Sequence, residues 1–168
     1  MANPFVAYDN VFCFLLPQDI ASTATTCPYV DLRNAQKATL FLQFGAITSA
    51  TATDEFVVTV QAATAEGGTE AAIAFRYRKS GVGATANTWG AVTSADTTGV
   101  GMGADDSDGM GLWIEIDPDA LAANDYRFVR AVLTDNDDMS ACLVAGFAIL
   151  EARYKQTTHI SATASASA

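Results

Sequence analysis

The sequence predicts an all-β domain, an antiparallel sandwich of two packed sheets. Three observations support this fold class. Apolar residues alternate with a period of two in most segments, turns rich in Gly, Asn, Asp and Ser separate those segments, and a helix start signal occurs in one short stretch. With 168 residues, the chain has the usual size of one domain. We therefore expect a single sandwich over residues 1–155.

Four segments show the alternation most clearly. Successive side chains of a strand point to opposite faces, so every second residue shares one buried side. The predicted inward faces are Leu40, Leu42 and Phe44; Phe56, Val58 and Val60; Ile73, Phe75 and Tyr77; and Leu112, Ile114 and Ile116. Further strands are expected over 11–15, 126–133 and 142–153, with short ones near 29–32 and 89–93.

The segment 142–153 resembles a helix by composition, yet we interpret it as a strand. Its residues Leu143, Ala145, Phe147 and Ile149 alternate, and Gly146 would weaken a helix interior. Four phenylalanines on predicted inward faces are then core residues: Phe56, Phe75, Phe128 and Phe147.

The connections suggest how the strands are joined. Turn-rich stretches occupy residues 65–70, 79–87, 99–111 and 134–140. Asp117 as N-cap and Pro118 at the first helical position predict one short helix near 118–123. Long Gly-rich connections beside tight hairpins favour strands that cross between sheets, as in a jelly roll. Another sandwich topology is the alternative.

The C-terminal segment 156–168 contains one bulky apolar residue, Ile160, and cannot build a core. We expect a low-complexity arm that becomes ordered against a neighbouring subunit. The N-terminus has no basic region of the kind that begins a signal peptide, and no apolar stretch reaches the roughly 20 residues that span a bilayer. A protein made in a cytoplasm, with no membrane partner, is the expectation.

Charge argues against nucleic acid as a partner. Nine basic residues face nineteen acidic ones, which gives a net charge of −10. Contacts to phosphates need clustered cations. The single basic cluster of the sequence is Arg76, Arg78 and Lys79.

Residues for catalysis are scarce. The one histidine, His159, lies in the low-complexity arm, so neither a nucleophile–histidine pair nor a zinc site is expected. Cys13 and Cys142 lie in apolar runs and are interpreted as small buried hydrophobic residues. A disulfide between Cys13 and Cys27 is the open alternative. We expect no enzyme activity and no cofactor.

Acidic side chains offer two further candidate sites, each with an ordinary structural explanation. The clusters Asp105, Asp106, Asp108 and Asp135, Asp137, Asp138 carry the oxygen ligands that calcium prefers, but solvated turns have the same composition. Glu115 and Asp117 share a strand face with Trp113, which resembles a sugar-binding arrangement and also the solvent face of a half-buried strand.

Several apolar residues are candidates for a subunit contact. Phe41, Val57 and Trp113 fall on the outward faces of their strands, and a contiguous outward patch would mark an interface. Both chain ends are candidates too, through Phe5, Tyr154 and Ile160.

Several segments together resemble the head decoration (cement) proteins of tailed bacteriophages. They are MANPFVAYDNVFCFL, TCPYVDLRNAQKATLFLQFGAITSA, EFVVTVQAATAEGGTEAAIAFRYRKS, GLWIEIDPDAL, RFVRAVLTD and AGFAILEARY. The resemblance covers residues 2–154. It implies a jelly roll, a homotrimer on the outside of the capsid, and no catalytic residues.

The leading hypothesis is a virion protein that binds the major capsid protein and reinforces the phage head as a trimer. A carbohydrate-binding or host-adhesion module, with Trp113 or Trp89 stacked on sugar rings, is the second hypothesis. A tail or neck component of the virion is the third.

Overall fold

The computed structural model describes residues 9–21, 24–48, 55–81, 88–103, 108–117, 121–136 and 139–153. Most of these residues are in β-strands, which confirms the predicted class. In chain order the strands are β1 Asp9–Asp19, β2 Thr25–Thr26, β3 Val30–Asp31, β4 Ala35–Thr48, β5 Glu55–Ala63, β6 Glu70–Ile73, β7 Phe75–Lys79, β8 Thr93–Ala95, β9 Val100–Gly103, β10 Gly111–Ile116, β11 Phe128–Asp135 and β12 Ala141–Ala152.

The strands form two sheets, and all the described pairings are antiparallel. Sheet A has the order β1-β12-β4-β10-β7-β8. Sheet B has the order β2-β11-β5-β6, with β3 also on β11 and β9 also on β5. Only Ala74 separates β6 from β7, so the chain passes from sheet B to sheet A at that residue.

The pairing order is that of a jelly roll. The first strand pairs with the last, β1 with β12, and inside that pair lie β2 with β11, β4 with β10 and β5 with β6. These nested pairs alternate between sheet A and sheet B, which is the arrangement of a chain rolled up as one long hairpin. Strand β3 continues β2 along β11, and β7 to β9 lie between β6 and β10 in the chain.

The core lies between the sheets, on the faces that the alternation predicts for β4, β5 and β10. Leu40, Leu42, Phe56 and Ile114 have no exposed surface. The rings of Phe44 and Phe56 meet across the two sheets with centroids 5.1 Å apart. Burial of such side chains from both sheets stabilises the sandwich by about 1.5–3 kcal/mol per residue.

Strand β12 has the opposite face inward from the one predicted. Its buried residues are Cys142, Val144, Gly146, Ala148 and Leu150. Phe147 is 38% exposed on the outer face of sheet A. The reason lies in the packing of β1. Phe14 approaches the strand so closely that a Cβ at position 146 would lie 2.7 Å from its Cζ, a space that glycine leaves open.

Phe128 also departs from its predicted place in the core. Strand β11 buries Val129, Ala131 and Leu133, which leaves Phe128 half-buried on the outer side. There its ring meets the edge of Tyr29 at 6.2 Å, and the guanidinium of Arg33 lies 5.7 Å from its centroid.

The helix predicted near 118–123 lies only partly within the described residues, where Leu121 is helical. The described part of that segment holds a 3-10 helix over Ala122–Asn124, which ends at Asp125 with a left-handed φ of 56°. Pro118 lies outside the described residues. Leu121 is buried and anchors the turn to the core.

Cys13 was predicted to be buried, but it is exposed on β1, while Cys27 and Cys142 are buried as free thiols. A disulfide between Cys13 and Cys27 is therefore not formed. β-Bulges on either side of Leu15 place both Phe14 and Leu15 in the core, and Cys13 takes the outer face. Among the described residues there is no helix with the length and hydrophobicity that crossing a membrane requires.

Candidate functional site

The outer face of sheet A is assembled by the register of its strands. Phe147 of β12 lies opposite Phe41 of β4, Phe41 opposite Trp113 of β10, and Trp113 opposite Arg78 of β7. Directly opposed residues on one face of a sheet are in contact distance. One row across four strands thus carries three aromatic rings and a guanidinium.

Exposed apolar side chains are concentrated on this sheet. Within the described ranges, the large hydrophobic residues with the greatest exposure all lie on β1, β10 and β12 or between β7 and β8. They are Val11, Leu16, Trp89, Val92, Trp113, Leu143 and Phe147. Grouping of this kind, unlike single scattered residues, makes the outer face of sheet A a candidate contact surface.

The outer face of sheet B is different, because its polar groups satisfy one another. Tyr29 donates its hydroxyl hydrogen bond to Glu70 at 2.7 Å, and Arg130 pairs with Glu70 and with Gln61. The Arg130 guanidinium also lies 4.7 Å from the centroid of the Tyr29 ring. Burial, followed by the hydrogen bond to Glu70, raises the pKa of Tyr29 to about 12. Tyr29 therefore stays a neutral donor at neutral pH.

An aromatic cluster of Phe41, Trp89 and Trp113 forms the centre of the sheet A face. The two indoles are nearly perpendicular, with centroids 5.8 Å apart, and Phe41 lies 6.1 Å from each of them in edge contact. Gly111 makes this packing possible. A Cβ there would lie 3.1 Å from Phe41 Cε2 and 3.1 Å from Trp89 Cη2.

Backbone pairing holds Trp89 over sheet A although it is outside a strand. Trp89 bridges to Ser80 directly after β7, and Gly90 N–H donates to the Lys79 carbonyl at 2.9 Å. Ser80 is itself fixed, since its hydroxyl accepts a 2.7 Å hydrogen bond from Gly111 N–H. The indole is thereby held at the end of β10.

A groove of about 330 Å³ opens beside the two tryptophans. Its charged lining residues are Lys37, Arg76, Arg78 and Glu115. Lys37 Nζ lies 2.7 Å from Glu115 Oε1. The hydrogen bond from Lys37, assisted by the charges of Arg76 and Arg78, holds the pKa of Glu115 below its usual value.

The structure separates the three strand residues predicted for a subunit contact. Phe41 and Trp113 lie together in the aromatic cluster, whereas Val57 is half-buried on the outer face of sheet B. A single flat contact therefore cannot include all three. Phe5, Tyr154 and Ile160 lie outside the described residues.

The acidic candidates have structural partners where they are described. Asp108 Oδ1 accepts a 2.6 Å hydrogen bond from Ile47 N–H, and Asp135 Oδ2 accepts one of 3.0 Å from Met139 N–H. The described ranges hold no group of three or more residues placed to bind a metal. The remaining acidic candidates and the histidine lie outside the described residues: Asp105, Asp106, Asp137, Asp138 and His159.

The charged side of the groove was missed from sequence. Arg76 and Arg78 were considered with Lys79 as one basic cluster, but they alternate on the face opposite Phe75 and so point outward beside Trp113. Lys79 instead donates a 2.7 Å hydrogen bond to the Gly101 carbonyl. The alternation of charge with Phe75 and Tyr77 was the available signal.

Comparisons with known proteins leave the family open. No protein-family model and no curated protein matches the chain. The chain is similar to a chain in a structure of infectious bursal disease virus, Gt strain, with 11% identity and a TM-score of 0.24. That match covers 90% of this chain and 42% of the viral chain. A likeness at this TM-score carries no argument about function.

Proposed function

We propose that the chain is a non-enzymatic structural protein of a virion, which binds the outer surface of a tailed-phage capsid as a trimer and stabilises it. The observation that carries the proposal is the distribution of exposed apolar residues, which lie on sheet A while the outer face of sheet B carries its own polar network. A sandwich whose exposed apolar residues are grouped on one outer face is suited to repeated contacts in a shell.

The part of that face nearest the sheet edge is the best candidate for the contact. Leu16, which is 72% exposed, and Val11 lie on β1, while Leu143 and Phe147 lie beside them on β12. Strand β1 is the edge strand of sheet A among the described strands, and an edge strand is a place where a neighbour can add backbone hydrogen bonds. Side chains and backbone can therefore contribute to one interface.

The proposal that the shell is a phage capsid rests on the sequence resemblance. It points to head decoration proteins, for which the partners are the major capsid protein and two further copies of the chain. The chain ends, through Phe5, Tyr154 and Ile160, would add contact area without enlarging the core.

A double substitution tests the contact. Leu143→Thr with Phe147→Thr keeps strand-forming residues but removes the apolar surface, and Val132→Thr on the outer face of sheet B is the matched control. We expect the double variant to weaken binding to capsid shells prepared without the protein by about ten-fold or more, and the control to bind normally.

Co-sedimentation measures shell binding, light scattering measures the oligomer, and electron cryomicroscopy of particles locates the density. A wild-type protein that stays monomeric and leaves the shells bare contradicts the proposal. Density on a tail or neck would support the third sequence hypothesis instead.

A further inference from the structure

The groove beside the tryptophans is cationic in a strongly acidic protein. Three cations line it, Lys37, Arg76 and Arg78, against one carboxylate, Glu115. The whole chain has a net charge of −10. The groove is therefore a local positive site on a negative molecule.

The two arginines are available to a ligand. Lys37 and Glu115 pair with each other, but neither Arg76 nor Arg78 forms an ion pair or hydrogen bond with another described residue. They lie two residues apart on one face of β7, so their Cα atoms are roughly 7 Å apart. Guanidinium groups in such positions recognise a carboxylate by paired hydrogen bonds.

The other wall of the groove is aromatic and rigid. Trp89 and Trp113 are 38% and 39% exposed, and their perpendicular packing on Phe41 and Gly111 fixes the part of each ring that faces solvent. An exposed, fixed indole is a surface for the C–H face of a pyranose ring. The charged groups on the second wall can then form hydrogen bonds and ion pairs with the substituents of that ring.

The charge of the groove and of the whole protein favours a small anionic ligand over an extended or a neutral one. An extended polyanion, such as nucleic acid or a long acidic peptide, would reach beyond the groove and be repelled by a protein with a net charge of −10. A ring with one carboxylate meets only the local cations. A neutral sugar would leave both guanidinium groups without a partner.

We propose that this groove binds an acidic sugar, a pyranose ring with a carboxylate, at the end or along the chain of a glycan. Arg76 and Arg78 hold the carboxylate, the indoles of Trp89 and Trp113 pack against the ring, and the Lys37–Glu115 pair hydrogen-bonds to hydroxyl groups. The carbohydrate hypothesis thereby has a defined ligand class. The site uses β4, β7, β10 and the segment around Trp89, and it depends on neither the capsid contact nor the trimer.

A matched pair of ligands tests the site directly. Methyl β-D-glucuronide and methyl β-D-glucoside differ at C6, where the first has a carboxylate and the second a hydroxymethyl group. The protein contains two tryptophans, and both line the groove, so its intrinsic fluorescence reports on this site. We expect saturable quenching or a spectral shift with the glucuronide, at least about ten-fold weaker binding of the glucoside, and loss of affinity as salt rises.

Variants assign the effect to residues. Arg76→Gln with Arg78→Gln should lower glucuronide affinity about ten-fold while the urea unfolding curve is retained, because both side chains are exposed. Arg127→Gln, directly before β11 and not among the residues that line the groove, is the control and should bind as the wild type does.

Three results would overturn the proposal. They are a wild-type protein whose fluorescence does not respond to glucuronide, equal affinity for glucuronide and glucoside, and tighter binding of a hexaglutamate peptide than of glucuronide. The last result would identify an acidic protein segment as the occupant. Since free sugars are used without capsids, failure here leaves the capsid proposal standing, and failure on capsids leaves this one standing.

Discussion

The orientation of β12 can be tested by adding a single methyl group at Gly146. The structure places this position on the inner face, where a Cβ would lie 2.7 Å from Phe14 Cζ and 3.0 Å from Leu15 Cβ. Both of those side chains are 3% exposed and have little room to move. The alternation in the sequence predicts instead that Phe147 points inward and position 146 points to solvent.

The two orientations predict opposite signs for Gly146→Ala. With Gly146 inside, overpacking costs about 1–3 kcal/mol, and the lower backbone entropy of unfolded alanine offsets about 0.5–1 kcal/mol of that. The expected result is a net loss of about 1–2 kcal/mol in the free energy of unfolding. With position 146 facing solvent, only the entropy effect remains, and the variant would be more stable than the wild type.

Urea denaturation followed by circular dichroism measures the difference, as a lower midpoint at an unchanged slope. Gly103→Ala is the matched control, because a Cβ there meets nothing within 4 Å. It should be neutral or slightly stabilising. A Gly146→Ala variant as stable as Gly103→Ala would refute the orientation of β12.

Three further predictions concern Asp19, the cysteine thiols and Asp108. Backbone N–H groups of Cys142 and Ala21 donate to Asp19 and hold its pKa below the ordinary 3.8, so the stability that Asp19 contributes is complete above that value and is lost as the pH falls below it. Asp19→Asn should therefore lose less stability than the wild type between about pH 4 and pH 2, and an identical acid titration would contradict this. Burial raises the pKa of the Cys27 and Cys142 thiols to about 12, so a thiol reagent at neutral pH should label exposed Cys13 first and all three cysteines after unfolding. Fast native labelling that persists in Cys13→Ser would count against this burial. Asp108→Ala should lower the free energy of unfolding by about 1–2 kcal/mol through loss of the hydrogen bond from Ile47 N–H, and a stability equal to that of the wild type in urea denaturation would show that the bond contributes little.

Much of the architecture was predictable from local pattern. In β4, β5 and β10 one face is apolar and the other carries polar residues with isolated apolar ones, so the period of two identifies both the strand and its inward face. Phe44, Phe56 and Ile114 are buried as that pattern predicts. The nested pairing of a jelly roll was expected from the alternation of long and short connections, although sequence alone left another sandwich topology open.

Part of the candidate site was also predictable, since Trp113 was recognised as an outward aromatic residue and Trp89 was named with it as a candidate for stacking on sugar rings. Their contact was not, because it depends on the bridge between Trp89 and Ser80 and on the space above Gly111. Neither feature has a signal in local periodicity.

What the sequence determined by itself is the fold class and the strands, because side-chain alternation is a local property of each segment. What only the tertiary structure decided is which face of β12 is inward, and which distant residues meet on sheet A. Both faces of β12 are apolar, so the choice depended on Phe14 packing over Gly146. Lys37, Arg76, Trp89 and Trp113 come from separate parts of the chain, and only strand register brings them to one groove.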